Sequence, residues 1–353
     1  MSPLASSPSQ PKYPLIQGAS TYNYAAANVD KIYDRLFENS AEFQKTLETP
    51  DNPNPLSSPR AVGIINQADK DLLVSPEVKQ WFIDVCQNPK RREPTPENAI
   101  PKGIIAILTR LRCLWPTELL LPVFDLMRIV SLHFKGAETF CKEPTDSGAQ
   151  PSEGAQVVHA PLSIVTLFKQ FVIPPLGEDV SSQSGKLPPK AGAKLMTGRI
   201  AVNLFATTHG AQFITGSSHI SLFIEGALSL IREKFPQLIQ TGACLLQNII
   251  ITLGSEKEST NILTENGIRE LSVAIKQQYL LLSTSQTSPS LDTITVLLKV
   301  FGVLLVDNEV AVAIFHTLPE DTICSTELDL IRKSPNYETP SKIAGEICDI
   351  LEL

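Results

Sequence analysis

Residues 128–140, RIVSLHFKGAETF, and residues 203–214, NLFATTHGAQFI, follow one plan. A polar residue ends an apolar stretch, about three apolar positions follow, and the chain then breaks at a polar or glycine-containing corner. Residues 248–259, NIIITLGSEKES, and 302–314, GVLLVDNEVAVAI, fit the same plan. The anchor positions lie 75, 45 and 54 residues apart. The last two spacings sit near the roughly 40–47 residues of armadillo and HEAT units, which bury a continuous core by stacking. The first is stretched by two polar insertions, CKEPTDSGAQPSEGAQ (141–156) and PPLGEDVSSQSGKLPPKAGA (174–193).

Outward from these segments the chain reads as helix after helix. Apolar residues recur at spacings of three and four, as in Phe124, Met127, Ile129 and Leu132, and no short alternating strands flanked by hairpin turns appear. The expected fold is an all-α, armadillo-like helical repeat superhelix forming one elongated domain. Residues 1–60 read as a Pro/Ser-rich tail carrying one short, loosely docked amphipathic helix over Asn28–Leu47. A further helix starts after Ser75-Pro76, where serine caps and proline takes the first turn. KRREPTPEN (90–98) reads as a solvated linker.

Composition narrows the function. Hydrophobic residues make up 42% of the 353 positions and charged residues 19%, which suits a large core and argues against a mostly disordered chain. A net charge of −7 gives no global attraction to nucleic acid or anionic lipid. No secretory signal or bilayer-length apolar run is evident; the longest candidate, Ala243–Leu253, is interrupted by Gln247 and Asn248. The expectation is therefore a monomeric cytoplasmic protein, with the nucleus also open to it, and without nucleic-acid or membrane partners. The six cysteines are scattered, without metal-ligand spacing, and read as small buried hydrophobes. No cofactor or metal is implied.

No catalytic motif stands out. Cys141 and His159 straddle an insertion and lack an orienting third residue, and the other histidines lie near helix ends. Polar residues inside apolar repeats carry more information. Asn203 and Asn248 occupy helices that otherwise select hydrophobes, and asparagine is a poor helix former that is costly to bury unpaired. Either each caps a neighbouring repeat, or they form a ladder that hydrogen-bonds the main chain of an extended peptide. Arg128, Arg199 and Lys299 fall on or close to the same repeat face, where cations suit an acidic ligand; the alternative is a solvated surface.

Five segments in order resemble one family. WPTELLLPVFDLMRIVSLHFKGAETFC (115–141) is similar to the opening of the PUL domain, with its Trp–Pro entry and an apolar helix ending in a Leu–Arg pair, here Met127-Arg128. GRIAVNLFATTHGAQFI (198–214) resembles its Leu-Arg-x-x-x-Asn segment at Arg199 and Asn203. LLQNIIITL (245–253), VLLKVFGVLLVDNEVAVAI (296–314) and EICDILEL (346–353) resemble the later helices. The resemblance places a PUL domain at 61–353. It implies a bent stack of armadillo-like repeats that binds the C-terminal tail of the AAA+ segregase valosin-containing protein in a basic groove. Such a protein is a non-enzymatic adaptor in ubiquitin-dependent protein handling. Arg128, Arg199, Asn203 and Asn248 then become groove candidates, with Lys299 beside them. A second possibility is the non-catalytic C-terminal part of a papain-like isopeptidase–thioredoxin–PUL protein, and a third is a helical scaffold for an unrelated ligand.

Overall fold

The computed structural model describes residues 11–48, 59–142, 162–177, 187–253, 265–284, 288–306, 308–319 and 322–353. It is 73% helical, with 17 helices and no strands among the described residues. The chain divides into two compact units, a larger one over Tyr22–Leu230 and a smaller one made of Met1–Thr21 with Ile231–Leu353. Parts of both polar insertions, and His159, lie outside the described residues.

The larger unit is built on two buried helices. Helix α6 (Leu121–Val130) packs on α9 (Pro189–Leu204) and is flanked by α2 (Val29–Leu47), α4 (Pro76–Gln87) and α5 (Ile104–Leu114). In α9 the residues Ala191, Leu195, Ile200, Val202 and Leu204 are all buried, on every side of the helix. A helix apolar all round belongs in a core. Lys194 of α9 is buried too, and its ammonium donates to the Pro174 carbonyl and to Ser229 Oγ, both at 3.0 Å. That carbonyl lies just beyond α8 (Ile164–Leu167) and the π-helical turn Phe168–Val172 that extends it.

Helix α2 is no loosely docked tail. Asn28 caps it by accepting from the Lys31 N–H at 3.1 Å, and Val29, Ile32, Tyr33, Leu36, Phe43 and Leu47 are buried. The Trp–Pro entry explains part of this: Trp115 is buried beside Phe43, and its indole N–H donates to the Gly63 carbonyl at 2.8 Å. The segment 90–98 is likewise tied down rather than a free linker. Arg92 donates to the Val85 and Cys86 carbonyls at the end of α4, at 2.9 and 3.1 Å. Asn98, buried, donates to the Lys90 carbonyl and accepts from Arg91. Arg92 satisfies orphan helix-end carbonyls, a role that a charge run does not announce.

The repeat has a structural basis, in a register one residue from that read in the sequence. Helix α6 ends at Val130 and His133 caps α7 (Phe134–Phe140); α9 ends at Leu204 and Thr207 caps α10 (Thr208–Thr215). In the smaller unit α14 (Ser288–Leu305) is followed by Asn308, which caps α15 (Glu309–Phe315). Each cap falls three residues after the long helix ends. At the first two corners Gly136 and Gly210 pass so close to the preceding helix end that a Cβ would lie 1.9 Å from the Val130 oxygen and 2.3 Å from the Leu204 oxygen. Only glycine fits there. Arg128 therefore corresponds to Val202, and Asn203 to Ile129.

In the smaller unit α14 is central, packed on α12 (Pro236–Leu253), α13 (Glu265–Thr284) and α17 (Glu338–Ile350), and α16 (Ser325–Arg332) covers α17. The short helix α1 (Pro14–Gln17) rests on α14 and α17. Its Leu15 and Ile16 N–H groups donate to the Glu346 carboxylate, each at 3.0 Å, where the positive end of a helix favours an anion. Ile16 sits over Gly302, and a Cβ at that glycine would lie 2.6 Å from Ile16 Cδ1. The residues of α11 (Ile220–Ile231) up to Leu230 return to the larger unit, where the Phe223 ring lies tilted against Phe168 with centroids 4.7 Å apart. No single described helix is long and apolar enough to cross a membrane.

Candidate functional site

Three of the five sequence-selected residues meet in the larger unit, around an unexpected object. They hold residues 24–26 of the same chain, in a stretch without helix or turn that leads into α2. Asn203 is completely buried. Its Oδ1 accepts the Tyr24 N–H at 2.5 Å, and its Nδ2 donates to the Tyr24 carbonyl at 3.2 Å and to the Arg128 carbonyl at 2.8 Å. One carboxamide thus reads both main-chain groups of one residue, as a neighbouring strand would.

Arg128 completes the grip. Its guanidinium donates to the Tyr24 carbonyl and, at 3.2 Å, to the Ala26 carbonyl. Nε and Nη2 also donate to Asp125 Oδ1, at 2.8 and 2.6 Å. The side chain is 5% exposed, so Asp125 neutralises a charge that would otherwise be buried alone. Arg199 stands one turn before Asn203, half-buried, with its guanidinium carbon 4.6 Å from the centre of the Tyr24 ring. That is cation–π distance.

The other two candidates belong to the smaller unit. Asn248 is completely buried on α12, and Lys299 is half-buried on α14. The neighbour of Asn248, Gln247, is also buried and donates to the Ser20 carbonyl at 2.9 Å. Gln247 met the same criterion that singled out Asn248, a polar residue inside an apolar helix. Asp125 was legible as the acid three residues before Arg128. Nothing in the sequence marked Tyr24.

The catalytic alternatives lose ground on chemistry. Burial pushes the Cys141 thiol up to about 12, far from the thiolate a nucleophile requires. His133 is buried, accepts the Lys135 N–H at 3.2 Å to cap α7, and is held below the usual histidine range by burial. All six cysteines are free thiols, and among the described residues no group of three or more His, Cys, Asp or Glu could hold a metal.

The PUL domain family matches residues 20–311. The chain belongs to the PUL domain family. The match opens just before the clasped segment and includes α2, well upstream of the boundary at residue 61 read from the sequence. PUL domains are protein–protein interaction modules, generally non-catalytic, and in this PUL domain the match covers Arg128, Arg199, Asn203, Asn248 and Lys299. No curated protein matches the chain.

Proposed function

We propose that this PUL domain is an adaptor that docks the C-terminal tail of the AAA+ segregase valosin-containing protein, in ubiquitin-dependent protein handling. The observation that carries the reading is the clasp. Asn203 and Arg128 are arranged to hold the main chain of an extended segment, with Arg199 set against an aromatic ring. A tail with an aromatic ring and acidic residues suits such a site, because extended main chain offers its N–H and C=O groups and Arg199 supplies positive charge at the rim. Family membership supports protein binding as the class of activity. We place the partner in the cytoplasm or nucleus and read the domain as a monomer.

The test is fluorescence anisotropy with a labelled peptide of the segregase C-terminus. Arg199→Glu replaces attraction with repulsion and should weaken binding roughly ten- to hundredfold, the worth of a charge-assisted contact in a partly desolvated site. Lys234→Glu, at an exposed position of the smaller unit, should leave affinity nearly unchanged. Absence of binding both by the parent chain and by a variant with Tyr24, Ala25 and Ala26 replaced by glycine would defeat the proposal.

A further inference from the structure

We infer that the clasped segment Tyr22–Asn28 is a resident stand-in for a partner peptide. On this inference an incoming extended segment, carrying an aromatic ring followed by small residues, binds by displacing it. The inference rests on the adaptor reading and adds the ligand pattern and the competition.

Four features point the same way. The hydrogen bonds that Asn203 and Arg128 make to the segment go to main-chain atoms of Tyr24 and Ala26, and the Tyr24 ring lies over Arg199. Any extended backbone with a ring at the right place meets the same donors and acceptors. The segment itself is lightly held by burial: Asn23, Ala26, Ala27 and Asn28 are exposed, Tyr22, Tyr24 and Ala25 are half-buried, and Ala25–Ala27 are small. Few buried apolar contacts mark a region of low local stability.

The third feature is the cost of an empty clasp. Asn203 and Arg128 are buried polar groups, and stripped of partners each would carry a desolvation penalty. Exchange of one extended backbone for another avoids that penalty, because every donor and acceptor is satisfied before and after. The fourth is the anchor. Asn28 caps α2, whose apolar face is buried, so release of 22–27 need not disturb the helix that follows. A tethered segment competes at high effective concentration, so it lowers the apparent affinity for any outside peptide by the fraction of time the clasp is open.

The probe is a fluorescent synthetic peptide with the sequence of residues 20–28, STYNYAAAN, added to the full chain. A variant carrying Tyr24→Gly, Ala25→Gly and Ala26→Gly loosens the resident segment and leaves the clasp and the Asn28 cap intact. It should bind the probe at least roughly tenfold tighter than the parent. Adding Asn203→Asp should abolish the gain. Equal binding by parent and glycine variant overturns the inference. Should the glycine variant fail to fold, amide exchange on the unsubstituted chain decides. Residues 22–27 should exchange through local opening, far faster than the core of α9, and equal protection would make the segment an integral part of the core. The segregase tail peptide separates this inference from the adaptor reading. Equal binding of that peptide to parent and glycine variant sinks the competition alone. Binding of the self-peptide but not of the tail to the glycine variant sinks the choice of partner alone.

Discussion

Asn203→Ala removes the carboxamide on which the clasp turns. Three hydrogen bonds go: from the Tyr24 N–H, to the Tyr24 carbonyl and to the Arg128 carbonyl. The Tyr24 groups belong to a half-buried residue and can recover water in part. The Tyr24 carbonyl keeps the Arg128 guanidinium and the Arg128 carbonyl keeps the Ser131 hydroxyl at 2.8 Å, so neither acceptor is left without a donor. At about 0.5–1.5 kcal/mol per ordinary hydrogen bond, with both carbonyls still partnered, the loss comes to roughly 1–3 kcal/mol. Asn203→Asp is the sharper variant. It keeps the acceptor for the Tyr24 N–H but turns an oxygen toward two carbonyls and buries a charge, so it should destabilise more than alanine despite its nearly identical shape. Both tryptophans, Trp81 and Trp115, lie in the larger unit, so intrinsic fluorescence during urea unfolding reports on that unit selectively. An Asn203→Asp protein as stable as the parent would show that the carboxamide does not hold both groups of Tyr24, and the clasp would fall with it.

Three further outcomes are expected. Gly302→Val should push Ile16 off α14, because even a Cβ would come within 2.6 Å of Ile16 Cδ1; overpacking of this kind costs about 1–3 kcal/mol, and limited proteolysis near residues 12–18 should speed up. Unchanged cleavage there would mean that α1 docks elsewhere. His133 is held below its unfolded value by burial, so the unfolded chain takes up a proton first as pH falls. Its contribution is intact above about pH 6.5 and is lost on acidification below that value, with a slope of at most about 1.4 kcal/mol per pH unit down to the folded pKa. His133→Asn keeps a capping acceptor without titrating, and should flatten the dependence of stability between pH 7 and 5; an identical slope in the two proteins contradicts this. Lys194→Met strips the Pro174 carbonyl and Ser229 Oγ of a charged donor and should cost about 3–6 kcal/mol by urea unfolding, given about 1.5–3 for each hydrogen bond to a charged group. A methionine variant with parental stability would show that the ammonium is not what satisfies them.

Helical periodicity at three and four is a local property, and with the Ser-Pro start signal it sufficed for the all-α class, for the helix α2 and for the Ser75-Pro76 start of α4. Composition likewise suffices to mark Asn203 and Asn248 as anomalies, since a polar side chain in an apolar helix needs a partner whatever the fold. The PUL resemblance rested on such residues in order, and the family match agrees with it. The identity of the partner was not local. Tyr24 and Asn203 are separated by 179 positions, and only the close packing of α6 on α9, with α2 against α6, brings the two together. The one-residue register of the repeat was hidden for a related reason. It is set by how closely the Gly136 and Gly210 corners approach the preceding helix end, a distance that no spacing of hydrophobic residues reveals. The solvated-linker reading of 90–98 holds for the exposed Lys90 and residues 93–97 but misses Arg92 and Asn98, which serve helix-end carbonyls, because polarity alone does not separate that role from solvation. What the chain carries on its own is which residues must find a partner. Which partner each one finds is decided when helices distant in sequence close around the same few carbonyls, because hydrogen-bond satisfaction depends on positions that only packing sets.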